Sequence, residues 1–369
     1  MHLVMISLDE GMLNPDSAVA KRTLAYAELV ESIQVIVYTP PGRQPRTLSP
    51  KITVVPTNSS TKPHFLRDAW RIWKRICSSL PSHQTVITTQ DPFETALVWR
   101  WLKKQFGCGL HIQDHGNFFE STYRRKETLL NGMRWYMWWF LLKQANAIRV
   151  VSKIEQAYLE NHGFTNVLHI PVYVDTSPKM TQRTPHVGCN LLMLSRFVPQ
   201  KNILFALGVL EKLFKLYTDM TLVLVGKGPL EPAIRAFIKR HALDDRVVIK
   251  PWTNDVWNEY ENADIFLLPS LYEGRWMTVI EAASYGVPVI MTATGCAGDF
   301  LVDDYNGMVI PINDADALRN AITTFYEDID LRETYVTHGY QQLKKMYSRE
   351  ETLSRYGQSR IAALPNSQK

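Results

Sequence analysis

The chain has 369 residues, 46% of them apolar, and a net charge of +5. That length exceeds one ordinary domain and fits two of about 175 to 195 residues, each with a real core. The basic residues are scattered rather than massed on one motif, so the charge gives no case for nucleic-acid binding. Four cysteines, Cys77, Cys108, Cys189 and Cys296, lie far apart with no C-x-x-C pair or metal spacing, which predicts reduced thiols in a cytoplasmic compartment. The opening MHLVMISLDE turns acidic at once and reads as a first strand, not a signal peptide. The longest apolar run, WYMWWFLL (Trp135 to Leu142), is too short to span a bilayer. A soluble or peripherally bound protein is expected.

In chain order, HLVMIS, VIVYT, ITVVP, TVITT, LHIQDH, AIRVVS and VLHIPV are the candidate strands of the first half. NLLMLS, TLVLVG, VVIKP, IFLLPS, PVIMT and MVIPI follow in the second. Amphipathic helical stretches separate them, which predicts an α/β protein of two doubly wound parallel sheets. TSPKMTQRTPHVG (Thr176 to Gly188) lacks periodicity, is rich in Thr, Pro and Lys/Arg, and reads as the linker. The expected domains are residues 1–176 and 177–339.

EGRWMTVIEAASYGVPVI (Glu273 to Ile290) sets two carboxylates, Glu273 and Glu281, eight positions apart across a strand exit and the first turns of a helix. A helix start behind a strand's carboxyl end offers backbone N–H groups and a positive dipole to phosphate. Carboxylates also accept paired hydrogen bonds from vicinal hydroxyls, although helix starts favour Glu on their own account. NLLMLSRFVPQKN (Asn190 to Asn202) is a strand followed by Arg196 and, one short loop on, Lys201, two cations suited to a diphosphate. TLVLVGKGP (Thr221 to Pro229) runs into Gly226 and Gly228, where backbone can approach a ligand or turn tightly. That last motif alone is weak, since Gly and Pro punctuate most strand ends.

The ordered series SRFVPQK, LVLVGKGP, ADIFLLPSLYEG, EAASYGVPVI and DDYNGMVIP resembles the donor-binding half of glycosyltransferase family 4, a retaining group with the GT-B fold. The likeness is continuous over about residues 190 to 325. It is looser over residues 1 to 175, where IRVVSKIEQAYLENHGFTNVLHIPVYVD fits the last strand, helix and strand before the hinge. The resemblance implies two Rossmann-like domains facing a cleft, an acceptor-binding first and a donor-binding second. It also implies a last helix, within about Tyr340 to Ala363, that crosses back to the first domain.

By the same resemblance, Arg196 and Lys201 hold the diphosphate of a nucleotide-sugar donor, Glu281 faces its ribose and Glu273 its hexose. Backbone N–H groups from Trp276 through Met277 and Thr278 to Val279 cap the phosphates. The stretch from Lys250 to Thr253, with Trp252, meets the base. His115, in LHIQDHGNF, contacts the sugar near the reacting carbon, unless it is simply a half-buried packing residue. Gly11, in DEGMLNPDS, approaches the diphosphate or sugar, though the family's glycine pair is missing there; Ser17 is more simply a helix N-cap. Arg275 and Trp276 stand where the family has small or apolar residues, and a ring there narrows donor choice or packs away. The hinge strand ends PVYVD where the family commonly has Asn-Gly before the aspartate.

The implied chemistry is glycosyl transfer with retained anomeric configuration, and its largest aid is stabilisation of the departing diphosphate. No D-x-D metal motif is suitably placed, since Asp314/Asp316 and Asp328/Asp330 read as solvated late-chain charges. No cofactor or metal is therefore expected beyond the nucleotide-sugar co-substrate. Among acceptors, a glycan or a lipid-linked sugar of bacterial-type surface polysaccharide synthesis fits best. HFLRDAWRIWKRICSSL (His64 to Leu80) interleaves aromatics with Arg67, Arg71, Lys74 and Arg75, which suits an anionic membrane surface or a helix packed on its own domain. RWYMWWFLLKQ (Arg134 to Gln144) is apolar all round and reads as a buried helix more readily than as a membrane or partner face. An epimerase of the same fold would need extra carboxylates near the sugar. A non-catalytic nucleotide-sugar binder would have lost one of Arg196, Lys201, Glu273 or Glu281, and all four are present.

Overall fold

The computed structural model describes every residue except 62, 92, 94–105, 117–120, 175–187, 254, 275–276 and 366–369. The predicted linker, bar Gly188, and the positions Arg275 and Trp276 lie outside the described residues. The chain divides into two compact units: Met1–Tyr173 with Tyr347–Lys369, and Val174–Met346. The return to the first unit begins at Tyr347, so residues 340–346 stay with the second.

In the first unit, β1 (His2–Ser7) pairs in parallel with β2 (Ser32–Val37) and β5 (Thr85–Thr89), and β2 with β4 (Ile52–Pro56). β6 (Gly109–Gln113), β7 (Ala147–Val150) and β8 (Val167–His169) continue the sheet in parallel. Alternate residues leave opposite faces of a strand. Val4 and Ile6 therefore join one core with Ile87 and Ile112, while Leu3 and Met5 join another with Val35 and Val54. Both faces are covered, which is why these strands read as continuous apolar runs. β3 (Arg46–Ser49) has no counterpart in the sequence reading: it lies antiparallel on β4 at the sheet edge, giving the order β3-β4-β2-β1-β5-β6-β7-β8. A four-residue edge strand with two exposed polar residues and a single apolar one, Leu48, carries no apolar signature.

The helix Arg349–Ile361 closes this unit, starting in a capping box between Ser348 and Glu351 and packing on β7 and the helix Ala18–Tyr26. A Cβ on Gly109 would sit 1.8 Å from the Ala363 carbonyl oxygen, so only glycine lets the end of the return segment meet β6.

Two aromatic helices of this unit are covered to different extents. In His64–Cys77, Trp73 is fully buried and Phe65, Trp70, Ile72 and Ile76 pack against the core, leaving the basic residues outward. In Leu129–Leu142, by contrast, only Trp138, Leu141 and Leu142 are buried, and one face is open to solvent. The reading of residues 134–144 as a buried helix is thus corrected: apolar composition all round does not bury a helix that lies on one layer of a two-sided sheet.

In the second unit all strand pairs are parallel. They join β9 (Cys189–Leu194), β10 (Met220–Val225), β11 (Val247–Lys250), β12 (Ile265–Leu268), β13 (Val289–Thr292) and β14 (Met308–Ile310) in the order β11-β10-β9-β12-β13-β14. Leu191 and Met193 pack beneath the helix Ile203–Leu216, while Leu192 and Leu194 face the helix Met277–Ser284. The strand order reverses between β9 and β12. Loops leaving two such strands diverge to opposite faces, which opens a crevice at their carboxyl ends.

Candidate active site

The crevice between β9 and β12 is built by two loops fastened to each other. Leaving β9, Ser195 N–H donates to the Val225 carbonyl and Phe197 N–H to Lys227, while Leu230 N–H returns a bond to Phe197. Phe197 is fully buried, and this anchor turns its neighbour Arg196 out to solvent. Arg196 has no carboxylate partner among the described residues. The loop then tightens at Pro199–Lys201 and enters the helix through Asn202, which holds left-handed backbone at φ 55°. Lys201 thereby stands at the start of the helix Ile203–Leu216.

Leaving β12, Leu271 N–H donates to the Gln200 carbonyl at 2.9 Å, and Gln200 Nε2 donates to the Tyr272 carbonyl at 2.8 Å. One residue further, Lys201 Nζ lies 2.5 Å from Glu273 Oε1. Glu273 is 2% exposed and the Lys201 side chain 14%. A carboxylate at that depth needs a cation beside it, and Lys201 supplies one. One ammonium proton serves Glu273, which leaves two for other acceptors.

The helix Met277–Ser284 starts four residues beyond Glu273. Its first turn, Met277, Thr278 and Val279, carries N–H groups without intrahelical partners. Two turns from Glu273, the half-buried Glu281 receives a bond from Tyr260 Oη at 3.2 Å, and the same hydroxyl lies 3.2 Å from the Thr278 carbonyl. Tyr260 is fully buried and stacks on Tyr285 at 5.1 Å between ring centroids. Burial, and then the Glu281 charge, push its phenol well above the ordinary value, so it remains a donor.

Beside the crevice, past β10 and β11, a cleft of about 290 Å³ is lined by Gly226, Lys227, Arg235, Lys250 and Trp252. Trp252 is 45% exposed, while Lys250 pairs with Glu259 at 2.9 Å. Gly226 and Gly228 have internal work. A Cβ on Gly226 would lie 1.9 Å from the Ser195 oxygen, and one on Gly228 2.4 Å from the Phe197 oxygen. Their absent side chains let the β10 loop close on the β9 loop that carries Arg196.

In the first unit, His115 is half-buried just past β6, on a turn fixed from both sides. Asp114 Oδ1 accepts from Gly116 N–H at 2.6 Å, and the Gly116 carbonyl accepts from Arg124 at 2.5 Å. Gly11 lies in a short turn after β1, where its N–H donates to Asp9 Oδ1 at 2.9 Å and its carbonyl accepts from Ser17 Oγ at 2.6 Å. That amide is already engaged by the turn. Ser17 also caps its helix by accepting from Ala20.

Two family models match the chain: "Glycosyltransferase Family 4" over residues 25–178 and "Glycosyl transferases group 1" over residues 189–342. The chain belongs to glycosyltransferase family 4. Its fold is GT-B, two parallel-sheet α/β domains. Sucrose-phosphate synthase from Thermosynechococcus elongatus superposes with a TM-score of 0.79 at 20% identity, covering 97% of this chain and 98% of that one. Anabaena HepE in complex with UDP and glucose gives 0.73 at 13% identity, covering 97% and 98%. In sequence, the chain is 30% identical over 139 residues to the Escherichia coli UDP-Gal:alpha-D-GlcNAc-diphosphoundecaprenol alpha-1,3-galactosyltransferase. That stretch spans 37% of this chain and 36% of the relative, so the match reaches only about a third of its length.

Against the family pattern, two residues of the site escaped the sequence reading. Gln200 sits inside the motif SRFVPQK, but its role as the stitch between the β9 and β12 loops needs the fold. Tyr260 reaches Glu281 from 21 positions away and carries no motif. The late aspartates are structural: Asp314 and Asp328 cap the helices Ala315–Glu327 and Ile329–Lys344, and Asp316 pairs with Arg319. Among the described residues no group of three His, Cys, Asp or Glu side chains is arranged to hold a metal ion.

Proposed function

We propose that this family member transfers a hexose, with retained configuration and without a divalent metal, from a nucleoside-diphosphate sugar to a glycan or lipid-linked acceptor. The observation that carries the reading is the convergence at one strand crossing of Arg196, Lys201 and the first turn of the helix Met277–Ser284, with Glu273 and Glu281 flanking them. Cations and free N–H groups suit a diphosphate, and flanking carboxylates suit the hydroxyls at its two ends.

In this mechanism Arg196 and the remaining Lys201 protons take up charge as the diphosphate departs, which lowers the barrier most at the point where charge grows. Glu273, held in place by Lys201, accepts from hexose hydroxyls and fixes the ring against the phosphates. Glu281, oriented by Tyr260, accepts from the ribose. Trp252 and the cleft past β10 and β11 receive the base. His115 is assigned to the sugar near the reacting carbon, and Gly11, whose amide is engaged, contributes shape alone. Departure of the diphosphate and arrival of the acceptor on one face require no enzyme nucleophile. The Escherichia coli relative, named for a lipid-diphosphate acceptor and a UDP-sugar donor, supports the acceptor class. UDP and glucose in the HepE complex support the donor class.

The test is a panel of nucleotide sugars scored by protection against thermal unfolding, followed by proton NMR of the product made from the best one. A protecting nucleotide sugar whose product keeps the donor's anomeric configuration is expected. An inverted product removes the retaining mechanism, and no protection by any nucleotide sugar removes the donor site.

A further inference from the structure

The helix Leu129–Leu142 presents to solvent a face made of large apolar side chains: Leu129 is 93% exposed, Met133 65% and Tyr136 74%. Leu130 and Phe140 are about half exposed. The exposed positions recur at spacings of four, three and four residues from 129 to 140, which is one stripe of a helix, and Lys143 continues it on the same side. The opposite face, with Trp138, Leu141 and Leu142, is anchored in the core. A contiguous exposed apolar stripe marks an interaction surface.

Charge selects the partner. Between residues 121 and 145 the chain carries five cations, Arg124, Arg125, Lys126, Arg134 and Lys143, against one carboxylate, Glu127. Three of them stand just before the stripe and Lys143 just after it. Arg125 stacks over the Trp135 ring at 5.3 Å, which fixes a cation beside the apolar face. A second copy of the chain would bring these cations against their own kind, since an isologous contact sets a surface against itself. We propose that this helix lies in the plane of an anionic lipid surface, with its stripe among the acyl chains and its flanking cations at the headgroups. The helix follows β6 and starts on the side of that strand's carboxyl end, where the first unit carries His115. An acceptor held in a bilayer would be presented at that rim. The surface deepens the reading of a lipid-linked acceptor, and the two fail separately, because vesicle binding needs no donor and donor binding needs no vesicle.

The test uses the full chain and sedimentation with vesicles of phosphatidylcholine alone or mixed with phosphatidylglycerol, at low and high salt. Wild type is expected to pellet with the mixed vesicles only, and less as salt rises. Met133→Gln with Tyr136→Gln should weaken binding at least tenfold. Lys126→Ser with Lys143→Ser should weaken it about fivefold per charge removed. Arg67→Ser, Arg71→Ser, Lys74→Ser and Arg75→Ser together, on the helix whose aromatic residues point inward, should change it by less than either set. All four native cysteines are buried, so Met133→Cys can carry a polarity-sensitive dye, whose emission should shift to the blue on mixed vesicles. Three results overturn the proposal: no pelleting of wild type at low salt, a stripe variant that pellets like wild type, or a dye that stays in water. Self-association abolished by the stripe variant, without vesicle binding, assigns the face to a second copy and overturns it equally.

Discussion

Replacing Lys201 by alanine should do two separable things, because this lysine has two neighbours to serve. Glu273 is 2% exposed and its Oε1 lies 2.5 Å from Lys201 Nζ. Removing the cation strands a buried carboxylate, and breaking such a pair from one side costs about 3 to 5 kcal/mol. The remaining 14% exposure of the lysine side chain favours the lower figure. For a unit of this size about 3 kcal/mol lowers the unfolding midpoint by about 6 to 12 °C. Arg196→Ala removes an exposed cation and should cost no more than about 0.5 kcal/mol. Turnover should fall in both, by about 100-fold or more, through lost stabilisation of the departing diphosphate. The double variant Lys201→Ala with Glu273→Gln neutralises the stranded charge, so most of the midpoint should return while turnover stays low. The assay is thermal unfolding by circular dichroism beside turnover at saturating donor, on the wild type and these three variants. If Lys201→Ala proves as stable as Arg196→Ala, or the double variant stays as unstable as the single, the pairing argument is wrong.

Further outcomes follow from the same geometry. Glu281→Gln should weaken binding of the bare nucleoside diphosphate about tenfold, and Tyr260→Phe by a smaller factor, with calorimetry as the readout; Glu273→Gln should harm turnover more than that binding. Gly226→Ala, whose Cβ would meet the Ser195 oxygen at 1.9 Å, should lower the unfolding midpoint and turnover together, because the loop carrying Arg196 must shift. Chelation should leave turnover unchanged; its abolition by chelator and rescue by magnesium or manganese would refute the cationic mechanism. The first unit should lose stability as pH falls below about 6.5. His111 is buried, and burial, then Arg360 and Arg149, hold its folded-state pKa well below the ordinary 6.5, so the unfolded chain binds the extra proton. Urea unfolding against pH in wild type and His111→Gln reads this, and an equal pH slope in both would refute it.

The legible part of the molecule was the part with buried periodicity. The parallel strands read as apolar runs because both faces of each sheet are covered, and the motifs around Arg196, Lys201, Glu273 and Glu281 lie at strand ends that the fold brings to one crossing. β3 was not legible, since Arg46–Ser49 buries no complete face and its pairing is set by its neighbour. The helix Leu129–Leu142 was misjudged because composition reports how apolar a helix is, not which layer covers it. Trp73 is core and Tyr136 is surface, although both sit among aromatics and cations. Pairing between distant side chains was equally hidden. Neither the Lys201–Glu273 ion pair nor the Tyr260–Glu281 bond has a local signal, because each depends on the strand order that brings the two loops together.

The central claim is that the β9/β12 crossing of the second unit binds a nucleoside diphosphate through Arg196. Calorimetric titration of UDP and of GDP into wild type and Arg196→Ala measures it directly. The account predicts that wild type binds one of the two, and that Arg196→Ala binds it at least about tenfold more weakly, a loss of about 1.4 kcal/mol, with an unchanged unfolding midpoint. Equal affinity in the two proteins, or no binding of either diphosphate by wild type, would contradict it.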